Sequence, residues 1–585
     1  METIKNAVKW FFKTTFTVMI VFAVLIFFML AFVAKMSFDS IKQVPVNMDS
    51  YIQLSFPHGL SECPNDFIDL SEFRITELNK RGLTLGEVIA RLSDAATDIR
   101  IKGILIDLDN WNLTYQHTSE IMNCLKGLED KNIIAYGSSL DNTSYLAALS
   151  ADEIIIDPSN SSTIMLTGLS ASVPYFKQLG DKIGVDVEVI HIGQFKGAGE
   201  NFARESMSDE FRISIERIID SRIDIFSKTV SEYRKLDKSG FTESLISGEM
   251  VFITPEKAIE LKLIDRALPY DEILSENLIG DNQIINISDY EVAALNENYK
   301  NRIAVIYAEG NIVDSDNGSS FSENVIDPAG IERIIKKIRK DKNIKAVVLR
   351  INSPGGSALA SEKILRKLIN LKNEMPVIVS MGSTAASGGY YIACNGTKIF
   401  ADQYTITGSI GVVSMIPNFR NMLEKLGIIN QKVMRGKYSD IFDLSKVRSS
   451  DDTELMRLSM LRIYDEFKGR VSEGRNISME ELEKIAQGQI WTGEQAKKNG
   501  LVDEIGGLET AIEEAAKITG IENYETISFP ENKTFSERLF NTDADDESVY
   551  SIFKNKGLMD KELKILRTAL SLKGRPSLIM PVIIE

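Results

Sequence analysis

The sequence is poor in the side chains that most often carry chemistry. Three cysteines, Cys63, Cys124 and Cys394, in 585 residues cannot build a disulfide framework, and none stands at the CxxC spacing of a zinc or redox site. Three histidines, His58, His117 and His191, are too few for a His-rich metal site and make a Ser-His-Asp triad a poor fit. Positive charge is scarce as well: 67 Lys and Arg face 83 Asp and Glu, a net charge of −16. Neutralising a phosphate backbone needs a surplus of Lys and Arg, so no nucleic-acid partner is expected. The strand-end carboxylates Asp107, Asp109 and Asp265 lack the further ligand spacing of a metal site. The chemistry is therefore expected to run without imidazole, metal or cofactor.

Apolar residues are plentiful. They make up 44% of the chain, which excludes global disorder. At roughly 150 residues per domain the length suits nearly four domains' worth of chain. Residues 14–34 are 21 uncharged positions rich in Val, Ile, Leu and Phe. At about 1.5 Å per residue a helix of that length crosses a hydrocarbon core of roughly 30 Å. Lys5, Lys9 and Lys13 precede it and only Lys35 follows directly, which puts the N-terminus in the cytoplasm and the bulk of the chain across the membrane. A cleaved signal peptide would have a shorter apolar core ending in A-x-A, and Phe32-Val33-Ala34 fits that poorly. The apolar segment 578–584 is too short to span and contains Pro581. It reads as an edge strand or packed tail.

The body of the chain is one unit written twice. The run from Ile101 (IKGILIDLD) reads like that from Ile344 (IKAVVLRIN), an offset of 243. Thr167-Gly168 matches Thr407-Gly408 at 240, and Ala258 matches Ala496 at 238. Each copy begins with a short apolar strand (52–56; 303–307) and an amphipathic helix (85–95; 331–338). A second strand (103–108; 346–351), a further helix and a third strand (133–136; 377–380) follow. Later parts turn helical, around 209–234 and 453–470. Alternating strands and helices with near-continuous apolar strands imply an α/β fold with parallel sheets covered by helices. The expected division is 1–40 for the cytoplasmic stub and anchor, 41–295 for the first repeat, 296–525 for the second and 526–585 for a C-terminal tail.

Candidate chemistry sits unequally in the two copies. After its second strand the second copy reads Asn352-Ser353-Pro354-Gly355-Gly356. Glycines there let backbone N–H groups face a cleft without a Cβ in the way, as an oxyanion hole requires. The first copy reads Asp109-Asn110-Trp111-Asn112-Leu113 at the same place. Gly408-Ser409-Ile410-Gly411 offers a nucleophile, with the Ile410 amide joining the oxyanion donors, and the first copy has Leu169 where Ser409 stands. Ser387, in Gly382-Ser383-Thr384-Ala385-Ala386-Ser387-Gly388-Gly389, competes for the role, although that run of small residues suits a helix N-terminus packed beside the cleft. A serine needs a base, and a lysine neutralised by burial can serve. Aligning Gly193 with Gly436 places Lys196 opposite Ser439, so the lysine survives in one copy and the serine in the other. That pattern is expected of one site assembled from both halves. Lys437 is a second candidate base, one residue out of register, and His191 reads as structural.

Together Asn352-Ser353-Pro354-Gly355-Gly356, the run from Met381 to Tyr391, Thr407-Gly408-Ser409-Ile410-Gly411 and Lys196 resemble the signal peptide peptidase A (protease IV) family in its long, two-repeat bacterial form. The resemblance covers nearly all the chain. It implies tandem ClpP/crotonase-like domains behind one N-terminal transmembrane helix. It further implies a Ser-Lys dyad with Ser409 as nucleophile, Lys196 as general base and backbone donors near Gly355, Gly356 and Ile410. It implies a homotetramer on the periplasmic face of the inner membrane, acting on hydrophobic remnant signal peptides. Two other readings are an acyl-CoA hydratase or isomerase of the crotonase type, which would want a glutamate acid/base and a CoA pocket, and a non-catalytic membrane scaffold.

Overall fold

The strand Ile344–Ser353 is buried along almost its whole length, as a continuous apolar run with parallel neighbours and helices on both faces should be. It pairs in parallel with Arg302–Glu309 on one side and Val377–Ala386 on the other. The computed structural model describes residues 45–63, 82–275, 278–290, 299–315, 325–530 and 577–579. The expected anchor at 14–34 lies outside these residues. Among the described residues no helix is long and apolar enough to cross a membrane.

The duplication is written into the strand order. The first sheet runs Arg266–Ala267, Glu153–Ile156, Asn132–Gly137, Ile101–Trp111, Ser50–Phe56, Ile284–Asn286, all parallel. The second repeats it as Glu504–Ile505, Lys398–Ala401, Val377–Ala386, Ile344–Ser353, Arg302–Glu309, Glu525–Phe529. The helices Leu85–Thr97 and Pro328–Lys340 match as well, and each is started by a side-chain cap. Thr84 forms a capping box with Glu87, and Asp327 accepts from the Ala329 and Gly330 amides ahead of a proline at the first turn. The long helices Asp209–Arg234 and Ser450–Arg475 fall where the sequence turned helical. The two halves share a core: Val305, Ala346, Val348 and Leu508 pack in one cluster with Ile52, Leu85, Val88 and Ile104.

A third sheet joins the halves. Its order is Val325–Ile326, Asn311–Ile312, Gly355–Ser357, Ser577–Ile579, Val412–Asn418, Asp186–Ile192. Asp186–Ile192 comes from the first repeat and pairs antiparallel with Val412–Asn418 of the second over seven residue pairs. Of the two expectations for the C-terminal segment, edge strand or packed tail, the edge strand is not what Ser577–Ile579 forms. Ser577–Ile579 has a partner on each side, Gly355–Ser357 and Val413, because the gap between those strands leaves both their backbone edges open to it.

A buried ion network also crosses between the halves. Arg350, fully buried on Ile344–Ser353, donates to both carboxylate oxygens of Glu62 at 2.9 and 2.8 Å, to Glu120 at 2.8 Å and to Ser380 Oγ at 2.8 Å. Burial alone would raise the Glu62 pKa, yet the Arg350 charge beside it holds it well below the usual carboxylate range. Guanidinium and carboxylates are fully paired here, which is the condition for such charges to stay buried.

Candidate active site

Lys196 lies in the loop that leaves the strand Asp186–Ile192, within Gly193-Gln194-Phe195-Lys196-Gly197-Ala198-Gly199. A second loop clamps this one. Gln487 O accepts from the Phe195 amide at 2.8 Å, and Gln487 Oε1 accepts from the Gln194 amide at 3.0 Å. Gly488, at φ +81°, lies so close that a Cβ there would stand 2.6 Å from Lys196 Cβ. Any larger residue would push the lysine stem away. The stem is thereby aimed inward, and Lys196 is 2% exposed.

The amine ends between two serines of the second repeat. Lys196 Nζ lies 2.7 Å from Ser387 Oγ, 2.9 Å from Ser409 Oγ and 2.9 Å from the Ser409 carbonyl oxygen. Burial pushes the lysine pKa well below its ordinary value, because a charged ammonium is costly where water cannot reach it. A neutral amine has two N–H groups and one lone pair. It satisfies all three contacts if it donates to the carbonyl and to one hydroxyl while the other hydroxyl donates to it. That last contact is the one a general base makes. The loop around the lysine packs on apolar groups: Gly197 lies against Phe211, which clusters with Ala386, Ile406 and Ile490, and Gly199 lies against Met415, which clusters with Ala198 and Val413.

The two serines are held differently. Ser387 sits at φ +55°, ψ −114°, at the junction of the strand Val377–Ala386 and the helix Gly388–Ala393. Its amide donates to Gly408 O at 2.8 Å. Non-glycine residues rarely occupy this conformation, and such strain clusters at reactive centres. Ser409 also has a positive φ, +53°, and its amide donates to Gln489 O at 2.6 Å. From sequence, Ser387 competes for the nucleophile's role but reads better as packing at a helix N-terminus. The helix is there, but the hydroxyl points at Lys196 as well, which corrects that reading. The signal that could have found it is the small-residue run ending a strand immediately before a helix.

The glycine turn lies against Ser387's neighbour. A Cβ on Gly388 would stand 3.1 Å from both the Gly356 nitrogen and Gly355 Cα, and one on Gly356 would collide with the Ile312 carbonyl. The Gly355 amide is spent on Ser353 Oγ at 3.1 Å. Ile410, the third expected oxyanion donor, is fully buried in the second repeat's core, and its carbonyl accepts from the Gly488 amide at 2.7 Å. The expected group of three therefore divides, the glycines facing Gly388 and Ile410 joining the loop that backs the lysine.

The remaining candidates fall away from the site. Lys437 is exposed and pairs with Asp451 at 2.7 Å, and Ser439 is exposed. His191 is exposed, and its Nδ1 lies 3.0 Å from the Gly193 carbonyl oxygen. Asp265 pairs with Arg234 at 2.8 Å, and Asp109 accepts from Ser138 and Ser139. Among the described residues no cluster of His, Cys, Asp and Glu is arranged to hold a metal ion.

Comparison with known proteins agrees with the duplicated architecture. The sequence profile of peptidase family S49 matches twice, over residues 128–280 and 369–522. Protease 4 of Haemophilus influenzae is 32% identical over 518 residues, 84% of this chain and 83% of that protein. Protease 4 of Salmonella typhi is 32% identical over 75% of this chain and 73% of its own length. The chloroplastic serine protease SPPA of Arabidopsis thaliana is 30% identical over 74% of this chain and 65% of that one. With both repeats matched and similarity running through most of its length, this chain belongs to peptidase family S49 and is a serine protease.

Proposed function

We propose that the protein is a Ser-Lys dyad endopeptidase in which Lys196 is the general base and Ser387, rather than Ser409, is the nucleophile. The observation that carries this reading is the buried Lys196 amine within hydrogen-bond reach of both hydroxyls. Three features favour Ser387 of the two. Its backbone is strained, it begins a helix whose first amides have no partner within the helix, and the glycine turn abuts the residue that follows it. Ser409 then holds the amine in place through its hydroxyl and carbonyl.

The chemistry follows from these positions. Neutral Lys196 takes the Ser387 proton as Oγ attacks the peptide carbonyl carbon. The amides of Gly356 and Gly388 face the developing oxyanion. Backbone donors of this kind are worth about 10²–10³ in rate each. The lysine ammonium protonates the leaving amine, and water, deprotonated by the restored amine, hydrolyses the acyl-enzyme. An unperturbed lysine titrates at about 10.4, so the dry pocket is what lets the amine act as a base near neutrality.

The substrates in this reading are hydrophobic peptides of the remnant signal-peptide class, taken in extended form on ClpP/crotonase-like repeats. The uncharged stretch at 14–34 supports a single N-terminal anchor in the inner membrane with the catalytic body on the periplasmic side. Leu426, Ile429, Val433, Phe442 and Val447 are exposed in one stretch of the second repeat, with Val433 at 90%. Apolar surface of that kind favours assembly into the homotetramer expected from the sequence.

The decisive experiment compares Ser387→Ala with Ser409→Ala. Ser387→Ala is expected to abolish peptide hydrolysis and labelling by a fluorophosphonate. Ser409→Ala is expected to keep the label and lose on the order of 10- to 100-fold in kcat, the scale of a lost contact to the base. The reverse result returns the nucleophile to Ser409.

A further inference from the structure

The loop that carries Lys196 has little rigidity of its own. Gly193, Gly197 and Gly199 are three of its seven residues, and the first and last stand at φ +110° and +81°. Glycine leaves the backbone many conformations to lose on folding, yet the amine stays within hydrogen-bond reach of two serines. Gln487 holds the first half of the loop, at Gln194 and Phe195. The second half is held by a side chain that takes no part in the contacts of the amine. Glu200, next after Gly199, is 9% exposed. Tyr175 Oη donates to its Oε1 at 2.5 Å, the Ser208 amide donates to Oε1 at 3.2 Å, and Ser208 Oγ donates to Oε2 at 2.6 Å.

We propose that Glu200 is the positioning residue of the general base: its carboxylate shuts the Lys196 loop onto the helix Asp209–Arg234 and so keeps the amine dry and aimed at the serines. This rests on the catalytic reading above for the role of Lys196 alone, and it holds whichever serine is the nucleophile. The path from carboxylate to lysine is short. Ser208 caps that helix, its Oγ accepting from the Phe211 amide at 3.3 Å while it donates to Glu200. Phe211 is thereby set against the residue that follows the lysine, where a Cβ on Gly197 would collide with the ring. Through Oε1 Glu200 also holds Tyr175. The next residue, Phe176, is tied to the same stretch by its amide, which donates to the Asn201 carbonyl at 2.7 Å, and by its ring, stacked on Phe202 at 5.4 Å. Lys196, Gly197, Phe211, Ser208 and Glu200 thus close a ring of bonds and contacts in which one carboxylate is the fastener. A carboxylate suits the task because it accepts from several donors at once, and charge-assisted hydrogen bonds are roughly twice as strong as neutral ones. Burial is the cause of the low Lys196 pKa, so a loop that opens returns water to the amine and weakens the base without any change at the amine itself.

The test uses the full chain with Glu200→Ala and Glu200→Gln. In Glu200→Ala the acid limb of the kcat/KM profile for a fluorogenic apolar peptide is expected to move about one unit to higher pH, because a wetter amine keeps its proton longer. Activity at neutral pH then falls about tenfold and recovers at high pH, with KM little changed. Glu200→Gln keeps one acceptor oxygen and is expected to fall between Glu200→Ala and the wild type. A second readout needs no turnover. Acetic anhydride at pH 9 acylates accessible lysines, and the peptide containing Lys196 is followed by mass spectrometry. Lys196 is expected to be protected in the wild type and to react on the order of tenfold faster in Glu200→Ala, as local opening of the loop requires. An unshifted profile or unchanged acylation in Glu200→Ala overturns the proposal even where Tm falls, since a purely structural carboxylate gives that result. Should Glu200→Ala fail to fold, the same two readouts on Glu200→Gln decide. Lys196→Met separates this proposal from the catalytic one: hydrolysis at the wild-type rate by that variant overturns the base assignment, whatever Glu200 does to the loop.

Discussion

The two repeats share one strand order and differ at the positions that matter. Asp107 and Arg350 hold the same place on equivalent strands. Asp107 accepts hydrogen bonds from Gln53, Ser55 and Asn110 within its own repeat. Arg350 reaches across to Glu62 and Glu120 of the other repeat. Beyond the strand, the first repeat fills its turn with Trp111, which packs edge-on to Phe56 at 5.2 Å and donates to Thr118 Oγ1 at 3.0 Å. The second leaves glycines there, and a tail strand lies on them. The lysine-bearing strand Asp186–Ile192 crosses to the second repeat, whereas its counterpart around 429–435 forms no strand and is exposed. One fold thus carries two unlike turns, one filled by Trp111 and one lined by glycines, and the second repeat borrows its amine from the first. A duplicated chain can specialise in this way because losing a group from one copy is harmless while the other copy presents it to the shared site.

The sharpest break is Lys196→Met, which removes the borrowed amine. Hydrolysis is expected to fall on the order of 10³- to 10⁴-fold, the range of a lost general base, with circular dichroism unchanged. The same variant tests the burial argument through pH. In the folded chain the lysine pKa lies well below its ordinary value, so the unfolded chain binds one more proton between that pKa and about 10.4. Wild-type stability therefore rises with pH through that window, and Lys196→Met is expected to flatten the rise, gaining most in Tm at the acid end. Wild-type kcat/KM is expected to climb as the amine loses its proton, an effect read from a pH–rate profile.

Arg350→Met comes next. It strands Glu62 and Glu120 in the interior, and an uncompensated buried charge costs about 3–5 kcal/mol, measurable by urea denaturation. The equivalent change in the first repeat, Asp107→Asn, removes a partly exposed acceptor and is expected to cost well under half as much. Gly356→Ala aims at the glycine turn. Its Cβ meets the Ile312 carbonyl at φ +156°, and the displaced turn is expected to lower kcat on the order of 100-fold, the scale of one oxyanion donor.

Asp402 offers a smaller, pH-dependent effect. Burial raises its pKa to about 7, although Ser119 donates to it at 2.6 Å. The folded chain then holds a proton that the unfolded chain loses above about 3.9. Stability is lost as pH rises from there to about 7. Asp402→Asn is expected to raise Tm more at pH 8 than at pH 4. The smallest effect belongs to Leu169→Ser, which copies the Ser409 side chain into the first repeat. It is expected to shift stability by no more than about 1 kcal/mol, as substitutions away from the core do. It should create no second fluorophosphonate site, since the buried Lys196 amine is already held by Ser387 and Ser409.

Periodicity alone gave the strands and long helices to within a few residues, because buried parallel strands need unbroken apolar runs and covering helices need one apolar face. The comparison of copies pointed to Lys196 and to the glycine turn for the same local reason. It undervalued Ser387, since a serine among small residues looks the same in sequence whether its hydroxyl is buried against a lysine or only caps a turn. It also missed Gln487 and Gly488, whose role is to back the lysine loop from almost 300 residues away. Nothing local marks them.

By itself the sequence determined that this is a duplicated α/β chain poor in histidine, with a lysine in one half and glycines and serines in the other. Those properties depend on composition and on spacing within a few turns or strands. Tertiary structure alone decided which serine stands beside which amide, how dry the lysine becomes and what strand lies on the glycine turn. Each depends on where distant segments meet, and a one-dimensional pattern carries no distance between them.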